Sequence, residues 1–116
     1  MSIQSYAQVD RYYRSFNTAV YPSSDPLKLW MSVEKSETSE KPLRVDLVDK
    51  NNHVLHTTWI PKKGKTFRQL FDLSQMKDGF YSLRISDGQE VIEKSFQLKT
   101  PGIEERLPQR YLSFRD

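Results

Sequence analysis

Leu27, Leu29, Met31 and Val33 alternate with Lys28, Trp30 and Ser32, and this period of two constrains the fold more than any other feature. Successive side chains of a β-strand point to opposite faces, so four apolar groups share one face here. The same rhythm returns in Leu43, Val45 and Leu47, and again in Tyr81, Leu83 and Ile85. Phe67, Phe71 and Leu73 share one parity, as do Ile92, Phe96 and Leu98. Two further runs are β-prone: Phe16 to Tyr21, which stops at Pro22, and His53 to Ile60, rich in β-branched and aromatic residues.

Turn chemistry separates these runs. Ser23-Ser24-Asp25-Pro26 combines fixed φ with local side-chain bonding to backbone. Asp49-Lys50-Asn51-Asn52 suits a hairpin, because Asn tolerates the left-handed conformation. Pro61 to Lys65 ends the fourth run, and Ser74 to Asp78 is a polar link of at most one helical turn. Asp87-Gly88 is the strongest hairpin signal, and Thr100-Pro101-Gly102 stops the last run. The spacing predicts seven short strands. An isolated hairpin is marginal in water, so the apolar parities must be stacked against each other. The expected fold is all-β: an antiparallel, immunoglobulin-like (fibronectin III-like) two-sheet sandwich, with a small closed barrel as the alternative. Residues 1–15 read as a polar lead-in, 16–99 as the sandwich and 100–116 as a charged tail.

The length of 116 residues suits one domain with one core. Apolar residues are 36% and charged residues 28%, a balance fitting a thin sandwich with two solvated outer faces. A net charge of +3 from 18 basic and 15 acidic residues is too small and too mixed for a nucleic-acid surface. The absence of cysteine excludes disulfides, thiolate zinc sites and cysteine catalysis. No apolar run approaches the ~20 residues of a membrane span. Ser5-Tyr6-Ala7 before Gln8 sets small residues three and one before a signal-peptidase cut, although the basic and apolar regions upstream of such a site do not appear. Residues 1–7 are expected to be the end of a signal peptide, with an ordinary polar N-terminus as the alternative.

No catalytic constellation is expected. Gly64-Lys65-Thr66 lacks the glycine five residues earlier that a phosphate loop needs; that position holds Trp59. His53 and His56 sit three apart on a strand and point to opposite faces, so no metal site is expected from them. Asp49, Asn51 and His53 imitate the start of a calcium loop without its Gly and Glu. No serine lies in a nucleophile elbow. The chain reads as a non-enzyme without cofactor; a small hydrolase is the remote alternative.

The tryptophans are the candidate contact residues. Trp30 has the parity opposite Leu29 and Met31 and should face outward; Trp59 shares the parity of Leu55 and Thr57. An exposed Trp with Tyr21 or His56 beside it would make a stacking platform for a sugar or a partner protein. The bland alternative is an outer face covered by the lead-in or the tail.

Tyr21-Pro22, the alternating Leu27 to Val33 strand, Val45 to Asn52, Asp72-Leu73-Ser74, Gly79-Phe80-Tyr81 and the closing Phe96-Gln97-Leu98-Lys99 form an ordered pattern. It resembles the small sandwich domains of the type IX secretion system's C-terminal sorting family and related exported sandwiches. In that pattern Gly79 gives a sharp entry to the strand and Tyr81 buries its ring while its hydroxyl bonds a nearby loop. The resemblance implies export to the periplasm or cell surface of a Gram-negative bacterium. It also implies a structural or protein-binding role toward a protein partner or a cell-envelope component, with carbohydrate binding as the alternative.

Overall fold

The computed structural model describes residues 15–36, 39–101 and 109–115. Eight strands follow one another: β1 (Phe16–Pro22), β2 (Lys28–Lys35), β3 (Leu43–Asp49), β4 (Val54–Ile60), β5 (Thr66–Asp72), β6 (Gly79–Ser86), β7 (Val91–Lys99) and β8 (Tyr111–Arg115). They form two antiparallel sheets, a three-stranded one ordered β1-β2-β5 and a five-stranded one ordered β4-β3-β6-β7-β8. No helix occurs among the described residues, hence none long and apolar enough to cross a membrane. The two-sheet sandwich expected from the alternation is the observed fold.

The alternation explains the core directly. Leu29, Met31 and Val33 point inward from β2; Leu43, Val45 and Leu47 from β3; Tyr81, Leu83 and Ile85 from β6; Phe96 and Leu98 from β7. All are buried, while their odd-even neighbours are half-buried or exposed, apart from Val48, which is buried beside the register shift in β3. Cross-strand pairs of these groups are what hold each sheet in register.

Two readings of the sequence are corrected. The segment read as a tail from Thr100 onward contributes β8, which pairs with β7 from Lys99↔Tyr111 to Ser95↔Arg115. Leu112 and Phe114 pack on the core, and the Phe114 ring lies 6.4 Å from that of Phe96. Arg110, just ahead of β8, ties the strand down. Its guanidinium donates to Asp78 Oδ1 at 2.9 Å and to the Met76 carbonyl at 2.7 Å. His53, read as the first residue of the fourth strand, belongs to the preceding turn instead. Its N–H donates to Asp49 Oδ1 at 2.9 Å, as does that of Asn51. Asn52 takes the left-handed conformation at φ 68°, as the turn chemistry requires. The residues of the imagined calcium loop are thus consumed by a turn. The lead-in through Arg14, with the proposed signal-peptide end, lies outside the described residues.

Gly79, Tyr81, Asp87 and Gly88 are the landmarks of β6. The Tyr81 hydroxyl donates to the Lys77 carbonyl at 2.6 Å, closing a tyrosine corner over the link 73–78. That link is a single turn, with Met76 N–H donating to the Leu73 carbonyl at 3.1 Å. Burial, with Asp49 and Asp78 close by, pushes the Tyr81 phenol above its ordinary value, so it keeps its donor proton. Gly79 is nearly extended, and a Cβ there would meet the Tyr81 ring at an ordinary 3.9 Å. The need for glycine is firmer at Gly88, where φ is 98° in the β6–β7 loop. Asp87 organises that loop by accepting from the N–H groups of Gln89 and Glu90, and it also accepts from the Ser15 hydroxyl across the domain end.

A pH dependence follows. Partial burial pushes the Asp87 carboxyl up, but the hydrogen bonds from Ser15, Glu90 and Gln89 outweigh it and the net shift is down. Asp78 is held low by Thr100 and then Arg110, Asp72 by Ser74, and Asp49 by the His53 backbone N–H. A carboxyl with a lowered folded pKa stabilises the fold above its unfolded value, and loses that contribution as pH falls through the folded value. Thermal unfolding midpoints should therefore fall as pH drops from about 5 through these lowered folded values. Asp87→Asn, which cannot titrate, should show a shallower drop; an equal one would remove Asp87 from the account.

Candidate functional site

β1 lies over β7. With the sheets aligned strand for strand from that contact, β2 falls over β6 and β5 over β3, which leaves β4 and β8 without a strand opposite them. The exposure of β4 agrees: apart from Ile60, none of its residues is buried, and His56 is exposed although it pairs with the inward Leu47. Both β4 and β5 end their sheets on this side, so two rows of backbone groups stand without a neighbouring strand among the described residues.

A cleft of about 480 Å³ opens between these two edges. Leu55 and His56 border it from β4, Leu70 and Phe71 from β5, and Leu73 and Met76 from the turn beyond. Leu55 is 48% exposed and Leu70 is 40% exposed, unusual for side chains of this size beside a core. Strict alternation sets Leu55 on one parity with Trp59. A bulge between Leu47 and Val48 in the β3–β4 register breaks that parity, and Leu55 borders the cleft instead.

Gln69 also borders the cleft. It sits on the inward parity of β5, opposite Met31, and its Oε1 is shut off from water with no hydrogen-bond donor. An acceptor buried without a partner costs about 1–3 kcal/mol. Gln69→Leu should therefore raise the stability of the free chain by about 1 kcal/mol, read as a higher urea midpoint with unchanged slope. A lower midpoint would mean that the amide is bonded in solution.

The tryptophans do not meet. Trp30 faces outward from β2, as its parity predicts, with Tyr21 directly across on β1 and Leu70 across on β5. The Arg68 guanidinium lies over both rings, 4.3 Å from the Trp30 ring centre and 6.0 Å from that of Tyr21. Tyr21 and Trp30 are cross-strand neighbours, and a cation already occupies the indole face. Trp59 projects from the outer face of the other sheet, 60% exposed, beside a hollow of about 370 Å³. Lys41, Arg44 and Asp87 border that hollow. His56 accompanies neither indole in a platform; it pairs with the Thr58 hydroxyl at 3.1 Å and borders the cleft.

Among the described residues no three His, Asp or Glu side chains converge as metal ligands. No family model matches the chain, and comparison with curated proteins finds no similar one.

Proposed function

We propose that this chain is a non-catalytic, exported module that binds a protein partner through the cleft between β4 and β5. One observation carries the reading: two edge strands with free backbone groups flank an apolar cleft whose Leu55 and Leu70 remain in water. Edge strands left open in this way template the addition of a further strand, and apolar pockets beside them choose the side chains. The likeness to exported sorting sandwiches, carried by Asp72-Leu73-Ser74 and Gly79-Phe80-Tyr81, supports export and a binding rather than a chemical role.

A display library of random ten-residue peptides, panned against the whole chain, tests the reading. Peptides should be enriched, and enrichment should vanish on Leu55→Arg/Leu70→Arg, a pair exposed enough to tolerate the change. Absence of enrichment, or enrichment indifferent to the pair, would contradict it.

Trp59 favours a second reading, a carbohydrate module, because its indole is open beside polar groups that suit a sugar ring. Tryptophan fluorescence across a glycan panel discriminates: a saturable response lost in Trp59→Ala supports the sugar reading, and no response removes it.

A further inference from the structure

Three strands face five, and of the two uncovered strands, β4 and β8, it is β4 that stands beside the open edge of β5. A strand added to the open edge of β5 would lie over β4 and close the cleft. We infer that this position takes an extended segment of a partner protein, running antiparallel to β5, that carries two apolar side chains flanking a hydrogen-bond donor and ends in an acidic residue. The inference rests on the proposed protein-binding role and specifies its ligand.

Each requirement comes from a group at the two edges or in the loop that joins them. β5 pairs with β2 without a register shift, so its free edge is regular, whereas β4 carries the bulge at Leu55 that disrupts pairing. The incoming strand therefore pairs with β5. Antiparallel addition continues the pattern of both sheets and is the more stable per residue. Inward-facing positions of β5 are Phe67, Gln69 and Phe71. An antiparallel partner meets them in the order Phe71, Gln69, Phe67, at every second residue. Apolar groups suit the two phenylalanines, with Leu55 and Met76 closing around the first. The middle position calls for a donor such as Ser, Thr or Asn, since a turn of the Gln69 amide brings its unpartnered Oε1 to it.

The acidic end follows from charge. The β4–β5 loop, at the Phe67 end of the edge, exposes Lys62 and Lys63, while Asp72 stands at the other end. An antiparallel segment reaches the loop with its C-terminal end, where a carboxylate meets the two ammonium groups. The pattern is thus apolar, any, donor, any, apolar, then an acidic residue one or two positions on. Arg68 does not supply this charge, because its guanidinium leans away over Trp30.

Charge reversal tests the inference. The same library panned against the wild-type chain should enrich that pattern with Asp or Glu at the C-terminal end. Against Lys62→Glu/Lys63→Glu, two exposed loop positions, the end should switch to Lys or Arg, and cross-binding of the two peptide sets should fall at least tenfold. Gln69→Leu should relax the middle position to apolar residues while keeping the rest. Peptides that depend on Leu55 and Leu70 but ignore the lysine reversal would overturn the assigned direction and leave the protein-binding role standing. Loss of binding on no cleft substitution would overturn both. Sedimentation of the chain alone separates the remaining occupant: dimers abolished by Leu70→Arg would assign the edge to a second copy and refute a foreign segment.

Discussion

Tyr81→Ala should cost about 3–5 kcal/mol, the range for removing a large aromatic from a core. The ring is almost wholly buried and stacks on Phe96, with centroids 6.0 Å apart and planes 27° apart. Phe96 in turn meets Phe114 of β8, so the cavity would open between β6, β7 and the C-terminal strand. Tyr81→Phe separates the two contributions of the residue. It keeps the ring and loses only the bond to the Lys77 carbonyl, leaving that acceptor to water or unpaired, at about 1 kcal/mol. Equilibrium urea unfolding measures both. Equal losses for the two variants would show that the hydroxyl, not the ring, dominates, contrary to the stacking of the buried ring on Phe96.

Lys35→Ala should be the largest loss at a charged position, about 2–3 kcal/mol. Lys35 is the buried charged residue of the described chain, 7% exposed at the end of β2 on the inward parity. Its stem covers core surface opposite Phe16, and its ammonium donates to the carbonyls of Lys62 at 2.8 Å and Pro61 at 3.2 Å. Its backbone N–H donates to the Lys65 carbonyl at 2.7 Å. Truncation removes the side-chain contacts and leaves the backbone bond, so the β4–β5 loop should become mobile while the sheets persist. Lys35→Met, which keeps the stem, should recover part of the loss. Urea midpoints together with backbone relaxation of residues 61–65 check this; a loop as rigid as in the parent would contradict the tethering role. The loop carries Lys62 and Lys63, so Lys35→Ala should also weaken discrimination for an acidic peptide end.

The alternation of Leu29, Met31 and Val33 with Trp30 and Ser32 made the inner face of β2 readable, and the outward direction of Trp30 followed from the same parity. Tyr81 was legible for a similar reason, since a tyrosine two residues into a glycine-led strand has one common use in a sandwich. β8 escaped because Leu112 and Phe114 give only two inward positions in five residues, too short a run to stand out beside Arg110 and Arg115. The bulge at Leu55 escaped because nothing in Val54-Leu55-His56 marks an extra residue; the break appears only when β4 is matched against β3. The cleft was invisible for a deeper reason. It arises from how many strands each sheet holds and which are left uncovered, and that is a property of the assembled sheets rather than of any segment.

Amide hydrogen exchange on the whole chain addresses the open edge of β5 most directly. In the free chain, alternate amides of β5 should exchange far faster than those of β6, which lies between β3 and β7. Saturation with an enriched peptide should slow those β5 amides and leave β1 and β8 unchanged. A β5 already as protected as β6, or a bound peptide that slows exchange at another edge, would contradict the account.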